Sequence, residues 1–162
     1  MQEKKAIEDI INKLNTKLEK YHITKLEKQG YRLSNDLVNI IFEYIKNFEF
    51  KYTNLICNLG FAYEYGELGL EINYKKALEY YKKAMELNNG GAYYNMAFAY
   101  EYGELGLEKN NQKALEYYKK AMELNDGGAY NNMGHAYQFG ELGLEKNNKK
   151  AIELYKKAMD LN

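Results

Sequence analysis

A chain of 162 residues balances 23 Lys and Arg against 23 Asp and Glu, so its formal net charge is +0 and no global field draws it to nucleic acid or to an anionic membrane. The single cysteine, Cys57, excludes an internal disulfide framework and suits a reducing, cytoplasmic compartment. The start, Met1-Gln2-Glu3-Lys4-Lys5, is polar and no run of about 18 apolar residues follows, so neither a leader nor a membrane span is expected.

From Ala6 onward Ile7, Ile10, Ile11, Leu14, Leu18 and Tyr21 recur at helical spacing with Lys and Glu between them. This predicts an amphipathic helix that runs on through Ile23 and Leu26 and stops at Gln29-Gly30. His22, where the helix turns polar, reads as a surface histidine. Next, Ser34 or Asn35 caps a second helix with Leu37, Ile41, Tyr44 and Ile45 on its apolar face. Asn47 to Tyr52 reads as a connector.

Beyond the connector the chain repeats itself. Tyr63 to Glu71 recurs as Tyr100 to Glu108 and as Tyr137 to Glu145, with a period of 37 residues. A strict period of this size predicts a stacked array. Each unit holds a short helical pattern such as Ala92 to Tyr102 and a longer one such as Asn110 to Leu124, separated by Gly-Glu-Leu-Gly-Leu, which makes a helix–turn–helix hairpin. In the longer helix Ala114, Tyr117, Tyr118, Ala121, Met122 and Leu124 form an apolar stripe, while Lys113, Glu116, Lys119, Lys120 and Glu123 face water. Asn73, Asn110 and Asn147 stand where they can cap that helix. Gly66, Gly69 and their copies suit a compact turn, and Gly90-Gly91 and Gly127-Gly128 are expected to supply backbone angles that other residues resist. A phosphate cradle does not fit the glycines, because no Gly-Lys-Ser/Thr follows and the turn leaves no strand.

The unit resembles a Sel1-like repeat, a relative of the tetratricopeptide repeat. In the second unit the matching residues are Ala92, Met96-Ala97, Tyr100, Gly103, Gly106-Leu107, Asn110, Lys113-Ala114, Tyr117-Tyr118 and Lys120-Ala121, and most recur in the first and third. The turn is one residue longer than usual, Tyr80 and Tyr117 replace a frequent tryptophan, and Leu154 stands there in the third unit. The resemblance implies an all-α, right-handed superhelical solenoid of antiparallel helix hairpins. Its three repeats would lie at 52–89, 90–126 and 127–162, behind an N-terminal helical segment, 1–51, that caps the first. Part of that segment also resembles an F-box, the module that docks substrate receptors onto cullin ubiquitin ligases. Leu33, Asp36-Leu37, Ile41-Phe42, Tyr44-Ile45, Phe50 and Ile56-Cys57 fall at that family's positions, but Ser34 replaces its proline and its downstream tryptophan is missing.

In arrays of this kind the first helices of successive hairpins line a concave groove. If the small residues Gly60, Ala97 and Gly134 meet the neighbouring hairpin, three rows point into that groove: Cys57/Tyr94/Asn131, Phe61/Phe98/His135 and Glu64/Glu101/Gln138. These rows are also where the copied helices differ. Tyr94 and Phe98 would anchor a bound peptide, and Glu64 and Glu101 would meet its Lys or Arg. The rows read equally as tolerated solvent positions.

No catalytic set is expected, since His22 and His135 lie in different elements and Cys57 has no partner placed near it. No Cys/His cluster or calcium-loop spacing predicts a metal or cofactor. Leu154, Tyr155, Ala158 and Met159 on the last helix have no following helix to cover them, which predicts end-to-end self-association or a flush, weakly covered terminus. The function expected is a non-enzymatic scaffold for a protein or peptide segment, with an F-box-type substrate receptor of a cullin ubiquitin ligase as the alternative.

Overall fold

The computed structural model describes residues 51–161, which fall in one compact unit, Lys51–Asn162. The expected N-terminal helices and cap, with His22 and the F-box resemblance from Leu33 to Phe50, lie outside the described residues. Within them the chain forms six helices and no strand: α1 (51–65), α2 (Tyr74–Glu86), α3 (Gly90–Tyr102), α4 (Asn111–Glu123), α5 (Gly127–Phe139) and α6 (Asn148–Asp160). Helices α3 and α4 pack chiefly on each other, as do α5 and α6, while the α2–α3 and α4–α5 contacts join successive hairpins. The result is the stacked array of helix hairpins that the 37-residue period predicts.

Local chemistry explains where each helix starts. The Asn73, Asn110 and Asn147 side chains accept hydrogen bonds from the Lys76, Lys113 and Lys150 N–H groups at 3.0 Å, which satisfies a donor that the first turn leaves free. Asn89 and Asp126 do the same for α3 and α5, accepting from Ala92 N–H at 2.9 Å and Ala129 N–H at 2.8 Å. These caps start α3 and α5 earlier than the sequence pattern predicts, so both helices of a hairpin are 13 residues long in the second and third units.

The glycine pairs therefore need a different explanation. Gly90-Gly91 and Gly127-Gly128 sit inside the first helical turn, and the left-handed angles fall to Asn88 and Asn125 (φ 56° and 59°). Asn tolerates that region because its short polar side chain bonds locally. The glycines permit close packing: a Cβ on Gly90 would come within 3.3 Å of Leu124 and Asp126, and one on Gly128 within 3.1 Å of the Tyr94 ring.

The turn between paired helices behaves as expected. Gly103 adopts φ +73° while the Glu104 N–H donates to the Ala99 carbonyl at 2.9 Å, closing the helix end. Leu107 N–H then donates to Glu104 C=O at 2.9 Å across Leu105 and Gly106, both at positive φ, and Asn110 N–H ties the loop back to Tyr100 C=O at 2.8 Å. Left-handed leucines are costly, at about 1–2 kcal/mol each. Leu105 and Leu142 offset this by burial, being 5% and 7% exposed, whereas Leu68 in the first hairpin is 67% exposed.

The core is built on small residues. Ala97 of α3, Ala114, Tyr118 and Ala121 of α4, Ala129, Met133 and Ala136 of α5, and Leu142 form one buried cluster across the second and third hairpins. Alanine rows bring the helix backbones close, and Tyr81 and Tyr118, both 0% exposed, fill the volume left between them.

Candidate functional site

The first helices have three faces, and packing decides which is open. A Cβ on Gly60 would lie 2.8 Å from the Tyr81 ring, and one on Gly134 would lie 2.8 Å from Tyr155. The small row therefore meets the second helix of its own hairpin, not the neighbouring hairpin as the sequence reading assumes. That difference turns the helix and reassigns two of the three expected groove rows.

Cys57, Tyr94 and Asn131 face the following hairpin. Asn95 donates to the Cys57 thiol at 3.7 Å, and Cys57 is 7% exposed. Burial, reinforced by the charge of Asp126, pushes this thiol up to about 11, which makes it unreactive near neutrality. Tyr94 is half-buried against Gly128 and lies 6.0 Å, centroid to centroid, from the Tyr118 ring. Only Asn131 is exposed, because no further hairpin follows it among the described residues. Cys57 and Tyr94 are thus parts of the interface between hairpins and are withdrawn from the groove.

Glu64, Glu101 and Gln138 turn toward their own second helices. They accept hydrogen bonds from the Tyr81, Tyr118 and Tyr155 hydroxyls at 2.5, 2.6 and 2.8 Å. Asn132 of the next hairpin adds a bond to the Tyr118 hydroxyl at 3.0 Å. Glu101 is buried, at 9% exposure, so the sequence reading of it as a free partner for a peptide's Lys or Arg is corrected. Burial holds the half-buried Glu64 carboxyl above its ordinary range, opposed by the Tyr81 bond.

The most open row is Phe61/Phe98/His135, with Phe61 and His135 exposed and Phe98 half-buried, and it brings with it residues that sequence reasoning missed. Phe61 pairs with Tyr65, Phe98 with Tyr102 and His135 with Phe139, each at a centroid distance of 4.5 Å. Phe61, Tyr65, Tyr102 and Phe139 are 40–56% exposed. Each pair is an i, i+4 neighbour on one helix, so the three pairs form a ladder with one rung per hairpin. The signal in the sequence was the spacing of four from the Phe61 row and the change of Tyr65 and Tyr102 to Phe139 in the third copy.

Carboxylates flank the ladder. The phenol of Tyr65 is pushed up to about 12 by burial first, then by Glu64 and by Glu104 from the next hairpin's turn. Tyr102 is raised in the same way by burial, Glu101 and Glu141. The His135 Nδ1 lies 2.9 Å from the Glu141 carboxylate. Among the described residues, no group of three His, Cys, Asp or Glu could hold a metal ion, and no helix is long and apolar enough to cross a membrane. The later pair of the F-box resemblance, Ile56-Cys57, is buried within α1.

Comparison with known proteins agrees with this geometry. The chain matches the Sel1 repeat over residues 56–89, 91–126 and 128–162. It is similar to the Sel1 repeat protein from Oxalobacter formigenes, at 34% identity over 68% of this chain with a TM-score of 0.59. It also resembles Helicobacter pylori cysteine rich protein B, at 32% identity over 70% of this chain and a TM-score of 0.56. A third likeness is to c5321, a protective antigen present in uropathogenic Escherichia coli strains displaying an SLR fold, at 25% identity over 93% of this chain and a TM-score of 0.59. The chain spans 44% of the Oxalobacter protein's length, 33% of c5321 and 85% of the Helicobacter protein. No curated protein matches it significantly.

Proposed function

We propose that this chain, which belongs to the Sel1 repeat family, is a non-enzymatic scaffold that holds a peptide or protein segment along the aromatic ladder of its first helices. Sel1 repeats generally serve protein–protein interaction. The observation that carries the reading is the ladder itself: three ring pairs at 4.5 Å, each with at least one exposed ring and only Phe98 half-buried, on a face whose neighbouring rows are used up in packing. Exposed aromatic rings on a rigid support are the usual anchors of interfaces. A reducing, cytoplasmic setting suits the single buried thiol.

Peptides selected on the full chain from a random display library test this. They are expected to lose most of their affinity for a Phe98→Ala, Tyr102→Ala variant whose helix content is unchanged. Unaltered affinity would remove the ladder as the site. Tyr94, although aromatic and nearby, is left intact because changing it would loosen the hairpin interface.

A second surface supports self-association. Helix α6 carries Ala151, Tyr155 and Ala158 at the spacing of Ala114, Tyr118 and Ala121, the α4 face that receives α5. Tyr155 is only half-buried and Met159 is 69% exposed, so the face suits another hairpin of the same kind from a second copy. Light scattering over a concentration series is the check; a strict monomer at high concentration removes this association.

A further inference from the structure

The three hairpins repeat one sequence but are covered unequally, and one set of differences follows the hairpin before. The turn leucines Leu105 and Leu142 are 5% and 7% exposed, yet Leu68 at the same place in the first hairpin is 67% exposed. Leu142 is buried with no later hairpin among the described residues, whereas Leu68 is exposed although another hairpin follows it. The preceding hairpin is therefore what covers this side chain. Asn95 and Asn132 behave alike, donating back to the Cys57 thiol at 3.7 Å and to the Tyr118 hydroxyl at 3.0 Å. Their counterpart in α1, Asn58, is exposed, as is Leu55 one turn before it.

A second set of differences follows the hairpin after. The stripe Leu78, Tyr81 and Met85 of α2 recurs as Leu115, Tyr118 and Met122 of α4 and as Ile152, Tyr155 and Met159 of α6. In α2 and α4 the tyrosine is fully enclosed and its two neighbours are half-buried, but in α6 Ile152 and Met159 are 55% and 69% exposed. The third hairpin thus ends on two open clefts. One, of about 320 Å³, is lined by Phe139, Ala151, Ile152 and Tyr155. Its counterparts in the second hairpin include Ala114 and Tyr118, which share the core cluster with Leu142. The other, of about 450 Å³, is lined by Gly127, Asn131, Tyr155 and Met159. At that place in the second hairpin, Tyr94 and Tyr118 receive Gly128 and Asn132.

We infer that the third hairpin of one copy receives the first hairpin of another, with Leu68 entering the smaller cleft and Asn58 reaching the Tyr155 hydroxyl. This deepens the self-association reading above and rests on it. The joint continues the two that already exist inside the chain, which is why a second copy is the occupant. Asn58 precedes Leu68 by the same interval that separates Asn95 from Leu105 and Asn132 from Leu142, so α1 and its turn present the plug that such a socket accepts. Burial of apolar surface holds the joint. Its two sides are unlike, so the contact is head-to-tail and each added copy leaves one end of each kind free.

Single-sided variants of the full chain supply the test, read by light scattering over a concentration series. Leu68→Asn removes the plug and keeps the left-handed angle, which Asn tolerates; Ile152→Glu puts a charge into the socket. Both positions are exposed, so helix content should be unchanged. Each variant alone should associate at least roughly tenfold more weakly than the native chain. An equimolar mixture should form a one-to-one pair and grow no further, because the intact Leu68 of one variant meets the intact Ile152 cleft of the other. Native-like association of Leu68→Asn overturns the inference; if Ile152→Glu is then monomeric, pairing between two α6 faces keeps the wider reading standing. A mixture that stays monomeric also overturns the head-to-tail joint. A native chain that is strictly monomeric at high concentration overturns both.

Discussion

Helices α4 and α6 carry nearly the same residues and differ in what lies against them. Tyr118 and Ala121 of α4 are 0% exposed beneath α5, whereas Ala158 of α6 is 6% exposed, Tyr155 is half-buried and Met159 is 69% exposed. The hairpin alone therefore buries its alanines, and the next hairpin is what seals the tyrosine. In a linear stack each interface depends on its nearest neighbours, so equivalent residues should carry unequal energies along the chain.

The largest expected inequality lies in that tyrosine. Tyr118→Ala removes a fully enclosed ring and leaves Glu101 without its hydroxyl partner, so it should destabilise by about 3–5 kcal/mol. Tyr155→Ala should cost less than about half of that, because water already reaches the ring. Urea unfolding of the two variants decides, and equal losses would break the nearest-neighbour account.

The turn leucines sharpen the comparison at a smaller scale. Leu142→Ala should cost about 2 kcal/mol, since the side chain is buried in the core cluster. Leu68→Gly, at a 67% exposed left-handed position, should instead stabilise by roughly 0.5–1 kcal/mol by relieving backbone strain. Thermal melts of both variants would show opposite signs.

Smaller again is the effect of adding a methyl group. Gly60→Ala presses on Tyr81, which is enclosed and held by Glu64, and should cost about 1–2 kcal/mol. Gly134→Ala presses on the half-buried Tyr155, whose ring can move, and should fall within about 0.5 kcal/mol of neutral once helix propensity is included. Denaturation midpoints measure both.

The smallest effect concerns Cys57. Its folded value is raised from 9.0 to about 11, so the folded chain keeps a proton that the unfolded chain gives up. The stability this contributes is complete below pH 9 and is lost as pH rises through about 11. In alkylation at pH 8 the native thiol should react at least about 100-fold more slowly than the denatured one. Comparable rates would mean that the α1–α3 contact is open in solution.

Much of this fold was legible in the residues. The 37-residue period, the capping asparagines and the Gly-Glu-Leu-Gly-Leu turns all announce hairpins, because caps and turns are decided by side chains within a few positions of the backbone they serve. The groove was only partly legible. Phe61 and His135 are exposed and Phe98 is half-buried, while Cys57, Tyr94 and Glu101 are taken up in packing, and Tyr65, Tyr102 and Phe139 were missed. A small residue such as Gly60 announces a close approach but not the identity of the approaching helix. Assigning it to the neighbouring hairpin instead of to Tyr81 rotates every other row of α1 by one face.

By itself the sequence determined the repeat, the hairpins, their caps and their turns, since those depend on contacts local in the chain. Only the tertiary structure decided which face of the first helices stays open and which carboxylates lie beside its rings. Those outcomes depend on how α1, α3 and α5 are set against their own partners and against the next hairpin. That setting is fixed by contacts such as Glu101 with Tyr118 and Asn95 with Cys57, between residues far apart in the chain that no helical period encodes.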